Sequence, residues 1–198
     1  INSGPFSGRS VSLSHPGRNM RFEDCLWDNV TALSGLIGVS RNYYQELVGL
    51  PLEDLSIEVT FADCIFQGIV YDSPLVFVRG QSITLERCLF RDIKLSDLVQ
   101  DFCRYKAGDT GQVVETERGC ATLMHCASPS YCSMKDVCVD GLEIQGDGIV
   151  VINDDTIFNR EGLYVNASNT TCELATISAL DWTNITCSQI FDEPSCPL

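Results

Sequence analysis

Apolar and polar side chains alternate along this chain in short runs, and the runs recur as one motif. The segment Phe22-Glu-Asp-Cys25-Leu-Trp27-Asp-Asn29-Val30 returns as Phe61-Ala-Asp-Cys64-Ile-Phe66-Gln-Gly68-Ile69, and again as Leu85-Glu-Arg-Cys88-Leu-Phe90-Arg-Asp92-Ile93. Looser copies are Met134-Lys-Asp-Val137-Cys-Val139-Asp-Gly141-Leu142 and Ile177-Ser-Ala-Leu180-Asp-Trp182-Thr-Asn184-Ile185. A small or apolar residue stands two positions upstream of each: Met20, Val59, Ile83, Cys132 and Ala175. Within a copy the apolar period is two, which predicts a short strand, a one-residue bend, a second short strand, and a turn at the Asn, Asp or Gly position. Helical spacing does not fit. Further strand-like runs lie ahead of several copies, at Val11 to Ser14, Leu75 to Val78 and Leu163 to Asn166. Short strands bent one into the next describe one coil of a solenoid.

Coils stacked at the strand spacing of about 4.8 Å bring like positions into rows. Trp27, Phe66, Phe90, Val139 and Trp182 are expected to form an interior ladder. Cys25, Cys64 and Cys88 are expected to form a second interior row, close enough for a disulfide but read mainly as small core residues.

The pattern of apolar residues around a Cys and an aromatic, closing on Asn or Asp, resembles the repeats of the pectin-lyase-like superfamily of right-handed parallel β-helices. The resemblance covers roughly residues 10 to 190. It implies an all-β protein, a right-handed parallel β-helix solenoid with short helical and disulfide-rich loop insertions. The chain then reads as a single β-helix domain over 1–198, or a segment of a longer one, with insertions near 33–56 and 96–131. Within the insertions, Ser40 is placed to cap a helical turn carrying Tyr43, Tyr44, Leu47 and Val48. Ser96 is placed to cap another carrying Leu98, Val99, Phe102 and Tyr105.

The same resemblance implies chemistry on acidic polysaccharides, by calcium-assisted elimination or by hydrolysis between paired carboxylates. The residues that could serve are Asp147, Asp154, Asp155, Glu161 and Arg160. Asn153-Asp154-Asp155 resembles the polygalacturonase carboxylate motif, but the histidine and Arg-x-Lys elements that accompany it are absent. Adjacent Asp residues closing an apolar run read as a solvated turn. The two histidines, His15 in a turn-like stretch and His125 beside Cys126, read as surface or structural. No catalytic residue, metal ligand or cofactor is therefore assigned, and no glycine-rich phosphate loop occurs.

Composition narrows the partners. The 27 Asp and Glu residues against 13 Lys and Arg give a net charge of -14, the wrong sign for nucleic acid or anionic lipid. No apolar run reaches the roughly 18 to 20 residues of a membrane span. Eleven cysteines point to an oxidising compartment, as do the sequons at Asn29, Asn166, Asn169 and Asn184. The expectation is a secreted, cell-surface glycoprotein whose leader, if any, preceded Ile1. Cys103, Cys120, Cys126, Cys132 and Cys138 are read as disulfide pins of the second insertion, and Cys172, Cys187 and Cys196 as similar pins near the C-terminus. Spacings of six do not suit zinc. The odd total leaves at least one cysteine free or linked to another chain, with Cys103 and Cys196 the candidates.

Neither Ile1 to Ser10 nor Ser188 to Leu198 reads as an amphipathic helix that could cover a strand edge. The functional expectation is thus a non-catalytic structural or assembly module of a surface, matrix or filament structure. It meets other copies or other extracellular proteins through its solenoid ends, with polysaccharide as a further partner class. The alternatives are a carbohydrate-binding adhesin using Tyr43, Tyr44 and Tyr105, or a lyase or hydrolase of the pectin-lyase type.

Overall fold

The computed structural model describes residues 11–13, 19–32, 35–40, 58–72, 74–96, 103–107, 112–116, 121–127, 130–144, 148–153, 156–168, 174–178 and 181–188. The strands follow the chain as a succession of coils. The first coil holds β1 (Val11–Leu13), β2 (Met20–Glu23), β3 (Leu26–Asp28) and β4 (Thr31–Ala32). The second holds β5 (Ile37–Ser40), β6 (Glu58–Ala62), β7 (Ile65–Gln67) and β8 (Val70–Tyr71), and the third β9 (Val76–Arg79), β10 (Ser82–Glu86) and β11 (Leu89–Leu95). An antiparallel hairpin, β12 (Cys103–Ala107) and β13 (Gln112–Thr116), precedes the fourth coil, β14 (Met124–Ala127) and β15 (Tyr131–Glu143). The fifth is β16 (Val150–Asn153) and β17 (Ile157–Ser168), followed by β18 (Leu174–Ser178) and β19 (Asp181–Ser188).

Apart from the antiparallel pairs β12–β13 and β18–β19, strands pair in parallel with their counterparts in the next coil, and the sheets curl strongly around one core, a β-solenoid-like architecture. One sheet runs β1-β5-β9-β14-β16-β18-β19. The other walls are the ladders β2-β6-β10-β15-β17, β3-β7-β11-β15-β17 and β4-β8-β11, with the chain bent between them at the corner positions of the repeat.

Two corners in each of the first four coils, and one in the fifth, are held in the left-handed backbone region. The third position of the motif carries Asp24 (φ 53), Asp63 (φ 54), Arg87 (φ 50), Asp136 (φ 52) and Gly162 (φ 65). The eighth carries Asn29 (φ 53), Gly68 (φ 60), Asp92 (φ 52) and Gly141 (φ 76). Asn, Asp and Gly tolerate this region best, which lets the chain turn within a single residue. The corners stay hydrogen-bonded along the stack: Asp24 N–H donates to the Ala62 carbonyl (3.1 Å), Asp63 N–H to Glu86 (3.0 Å) and Asn29 N–H to Gln67 (3.1 Å). No backbone donor is lost at these bends. At Gly162 a Cβ would lie 2.5 Å from Asp136 Oδ1 of the preceding coil. That oxygen is the exposed end of a side chain that can swing aside, so it is the positive φ that favours glycine there.

The core is a set of in-register rows. Trp27, Phe66, Phe90, Val139 and Val165 form one, with Trp27 stacked on Phe66 (4.7 Å, 12°) and Phe66 on Phe90 (4.6 Å, 7°). Phe22 stacks on Phe61 (4.7 Å, 8°) in the neighbouring row, which continues through Leu85 and Met134. The buried Tyr71 hydroxyl donates to the Glu143 carbonyl (2.8 Å), satisfying the polar atom it carries into the core.

Two expectations are corrected. Trp182 does not continue the aromatic row: β19 pairs antiparallel with β18 and belongs to the seven-stranded sheet, so the fifth rung is Val165 of β17. A period of two records alternation and carries no strand direction, so a hairpin arm satisfied the motif. The helix expected from Ser96 to Tyr105 is also not formed where the chain is described, because Tyr105 lies in β12 opposite Val114 of β13. There is no helix among the described residues. The turn expected after Ser40 lies outside them.

Candidate functional site

At the end of the stack formed by the first coil, large apolar side chains are exposed among the described residues. β2, β3 and β4 each pair on one side only among the described residues, with β6, β7 and β8 respectively. Phe22 and Trp27 are half-buried, each with one ring face on the second coil. On the same strands Leu26 is 61% exposed and Met20 38% exposed. Further along the stack the position of Leu26 becomes covered, for Leu89 is only 7% exposed. Large apolar side chains on strands with an unpaired edge are an association hazard unless something pairs with them.

The outer face of the corner row carries charge. Arg87 donates to both carboxylate oxygens of Asp63 (2.7 Å each) and to Glu86, and Arg21 reaches Glu23 (3.2 Å) and Glu86 (3.8 Å). The Arg87 guanidinium holds the Asp63 carboxyl below the usual carboxylate range. These exposed pairs link the first three coils.

Inside the first corner lies the thiol row. Cys25, Cys64 and Cys88 are reduced; Cys25 is half-buried, the other two buried. Each thiol donates to a carbonyl of its own corner: Cys25 to Glu23 (3.4 Å), Cys64 to Ala62 (3.2 Å) and Cys88 to Glu86 (3.4 Å). Cys64 and Cys88 also reach back one coil, to the carbonyls of Phe22 (3.6 Å) and Phe61 (3.4 Å). Burial pushes the Cys64 thiol upward and the Cys88 thiol up to about 12.

The other cysteines divide. Cys126 and Cys132 are joined in a disulfide with a Cα separation of 6.6 Å. Both are fully buried, on β14 and β15, so this bond closes the corner between two walls of the core. It does not pin an external loop. Cys138 is disulfide-bonded as well and nearly buried. Cys103 and Cys187 lie on β12 and β19, while Cys120, Cys172 and Cys196 lie outside the described residues.

Asn29 and Asn166 are both exposed, the first at a corner over Gly68 and the second on β17, where its amide donates to Asp140 (3.0 Å). Asn184 is on β19, and Asn169 lies outside the described residues. Of the carboxylates weighed for catalysis, Glu161 is exposed on β17, and Asp147, Asp154 and Asp155 lie outside the described residues, as does His15. His125 is buried on β14, edge-on to Phe77 (5.5 Å, 83°), with Nε2 3.1 Å from Asn153 Oδ1. Among the described residues no three or more His, Cys, Asp or Glu side chains are grouped to hold a metal, and no helix is long and apolar enough to cross a membrane.

The open first-coil edge escaped sequence reasoning in its detail: Leu26 alternates with the inward-facing Trp27 and lies on the outer face in register with Ile65, itself 38% exposed, but the motif does not tell which coil leaves that face uncovered. Set against known proteins, the chain matches no described family, no curated protein and no solved structure.

Proposed function

We propose that the protein is a non-catalytic extracellular glycoprotein that works as an assembly module, built as a right-handed parallel β-helix of the pectin-lyase-like kind and making its contact through the end formed by β1 to β4. The observation that carries this reading is the exit of the core at that end. Phe22 and Trp27 have one face on the second coil, and Met20 and Leu26 are exposed beside edges that no described strand occupies. Covering apolar area is favourable at about 25 cal/mol per Å², and pairing the edge gives its N–H and C=O groups fixed partners. The sequons and disulfides support an extracellular setting.

The test is the native mass of the secreted full chain across a concentration series, beside a Met20→Glu, Leu26→Glu double variant. Both positions are exposed, so the variant should keep its circular dichroism spectrum. Wild type is expected to associate and the variant to remain a monomer. A wild-type monomer at every concentration, or association that the variant does not weaken, refutes the reading.

A further inference from the structure

We propose that Cys25 is a modification site for low-molecular-weight disulfides, with Cys64 as the thiol that resolves the adduct into a Cys25–Cys64 bond between the first two coils. This inference is independent of the assembly reading. It starts from a contrast within one chain: Cys126, Cys132 and Cys138 are oxidised, whereas Cys25, Cys64 and Cys88 are not.

Register makes Cys25 and Cys64 neighbours. They immediately precede the paired residues Leu26 and Ile65, and the Ile65 N–H donates to the Cys25 carbonyl (2.9 Å). Paired positions on adjacent strands sit about 4.8 Å apart, inside the roughly 4.4 to 6.8 Å Cα range of a disulfide. The Cys64 sulfur already leans toward the first coil, 3.6 Å from the Phe22 carbonyl. Access then sets the order of events. Cys25 is half-buried on the open last rung, while Cys64 and Cys88 are buried behind it, so an external disulfide reaches the row only at Cys25. Cys88 is the deepest of the three and the hardest to deprotonate.

The chemistry balances with glutathione disulfide as oxidant. The Cys25 thiolate attacks one sulfur of glutathione disulfide, forming a Cys25–glutathione bond and expelling one glutathione thiolate. The Cys64 thiolate then attacks Cys25 Sγ, forming the Cys25–Cys64 bond and expelling a second. Two protein thiols are oxidised, one glutathione disulfide is reduced to two thiols, and the protons lost by the cysteines end on the glutathione. Because burial holds Cys64 protonated, the second step is the slower and speeds up as pH rises.

The experiment treats the folded full chain with glutathione disulfide at pH 7 and 8.5, quenches in acid, and maps peptides without reduction. Wild type is expected to yield a Cys25–Cys64 linked peptide and to release two glutathione thiols per chain. Cys64→Ser should stop at the Cys25 adduct with one released, and Cys25→Ser, altered at the least buried thiol of the row, should leave Cys64 and Cys88 unreacted while the fold persists. A glutathione adduct that persists on Cys25 in wild type overturns the proposal. So does a Cys64–Cys88 bond, a Cys25–Cys25 bond between chains, a Cys25 that does not react, or a Cys25→Ser protein whose remaining thiols react as fast as wild type. The wild-type map decides even if Cys64→Ser does not fold.

Discussion

Phe66→Ala tests whether the interior rows hold the fold together. Phe66 is fully buried between two stacked rings, Trp27 at 4.7 Å and Phe90 at 4.6 Å, with Phe61 edge-on at 6.1 Å. Truncating a packed Phe in a core costs about 3 to 5 kcal/mol, from lost transfer free energy and the cavity left behind. Within that figure, two stacked partners at about 0.5 to 1.5 kcal/mol each account for about 1 to 3 kcal/mol. Phe66→Leu, which keeps apolar volume but loses both stacks, should therefore cost about 1 to 3 kcal/mol. Ile65→Ala on the same strand, at a side chain 38% exposed on the outer face, should cost well under the Phe66→Ala value. The assay is urea unfolding followed by tryptophan fluorescence and far-ultraviolet circular dichroism. Trp27 lies on the Phe66 ring and reports that rung, while the dichroism reports the whole stack. Both probes are needed because repeat stacks can lose coils separately. A Phe66→Ala loss below about 1 kcal/mol, or one no larger than that of Ile65→Ala, would refute the reasoning.

Gly162→Ala should lower stability by the roughly 1 to 2 kcal/mol of a left-handed alanine, its Cβ displacing only the exposed end of Asp136, whose Oδ1 lies at 2.5 Å. Gly141→Ala, whose nearest contacts are at 3.6 Å, should show the same backbone cost, and thermal melts that show no loss for either would contradict the corner geometry. For the Arg87–Asp63 pair, the carboxyl is held low in the fold, so its contribution is full above the ordinary carboxylate pKa and fades as pH falls through the lowered one. Arg87→Asn keeps a residue suited to the corner's φ of 50 and should flatten the acid side of a stability against pH curve; an unchanged slope counts against the pair. Glycopeptide mapping of secreted material should find glycan on the exposed Asn29 and Asn166, and four empty sequons would remove a main support for the extracellular setting.

The three strong repeat copies were legible because a large apolar residue at the sixth position has to face inward, as Trp27, Phe66 and Phe90 do. The third position was read as free. It holds Asp in three of the five copies, Asp24, Asp63 and Asp136, and that was the available signal for a left-handed corner. Arg87 obscured it, since nothing in an arginine side chain favours that backbone, and only its place between Glu86 and Asp63 explains its presence. The fifth coil was hidden for a related reason. β17 places Arg160 where the other coils have Phe22, Phe61, Leu85 and Met134, although Gly162, Leu163 and Val165 fit the corner and interior positions. Of the candidate site, the thiol row was legible as a row, but its graded burial depends on which coil is outermost, which the motif does not encode.

The two ends of the stack differ, and the difference limits what kind of assembly the proposed contact can make. At the far end of the seven-stranded sheet the outermost strand is β19, which runs antiparallel to β18 and to the strands before it. A second copy stacking there in parallel with the solenoid would meet a strand of the wrong direction on that wall. The first coil presents β1 to β4 running with the rest of the stack. Head-to-tail growth needs two complementary ends, whereas a two-fold pair needs one surface that is complementary to itself. In the proposed contact, Phe22, Trp27 and Leu26 of one copy would face the same residues of another, which would meet that condition and close the assembly. The expected outcome in sedimentation is a dimer whose mass stops rising with concentration. Continued growth into longer species would refute the one-ended arrangement, because it requires the β17 and β19 end to bind as well.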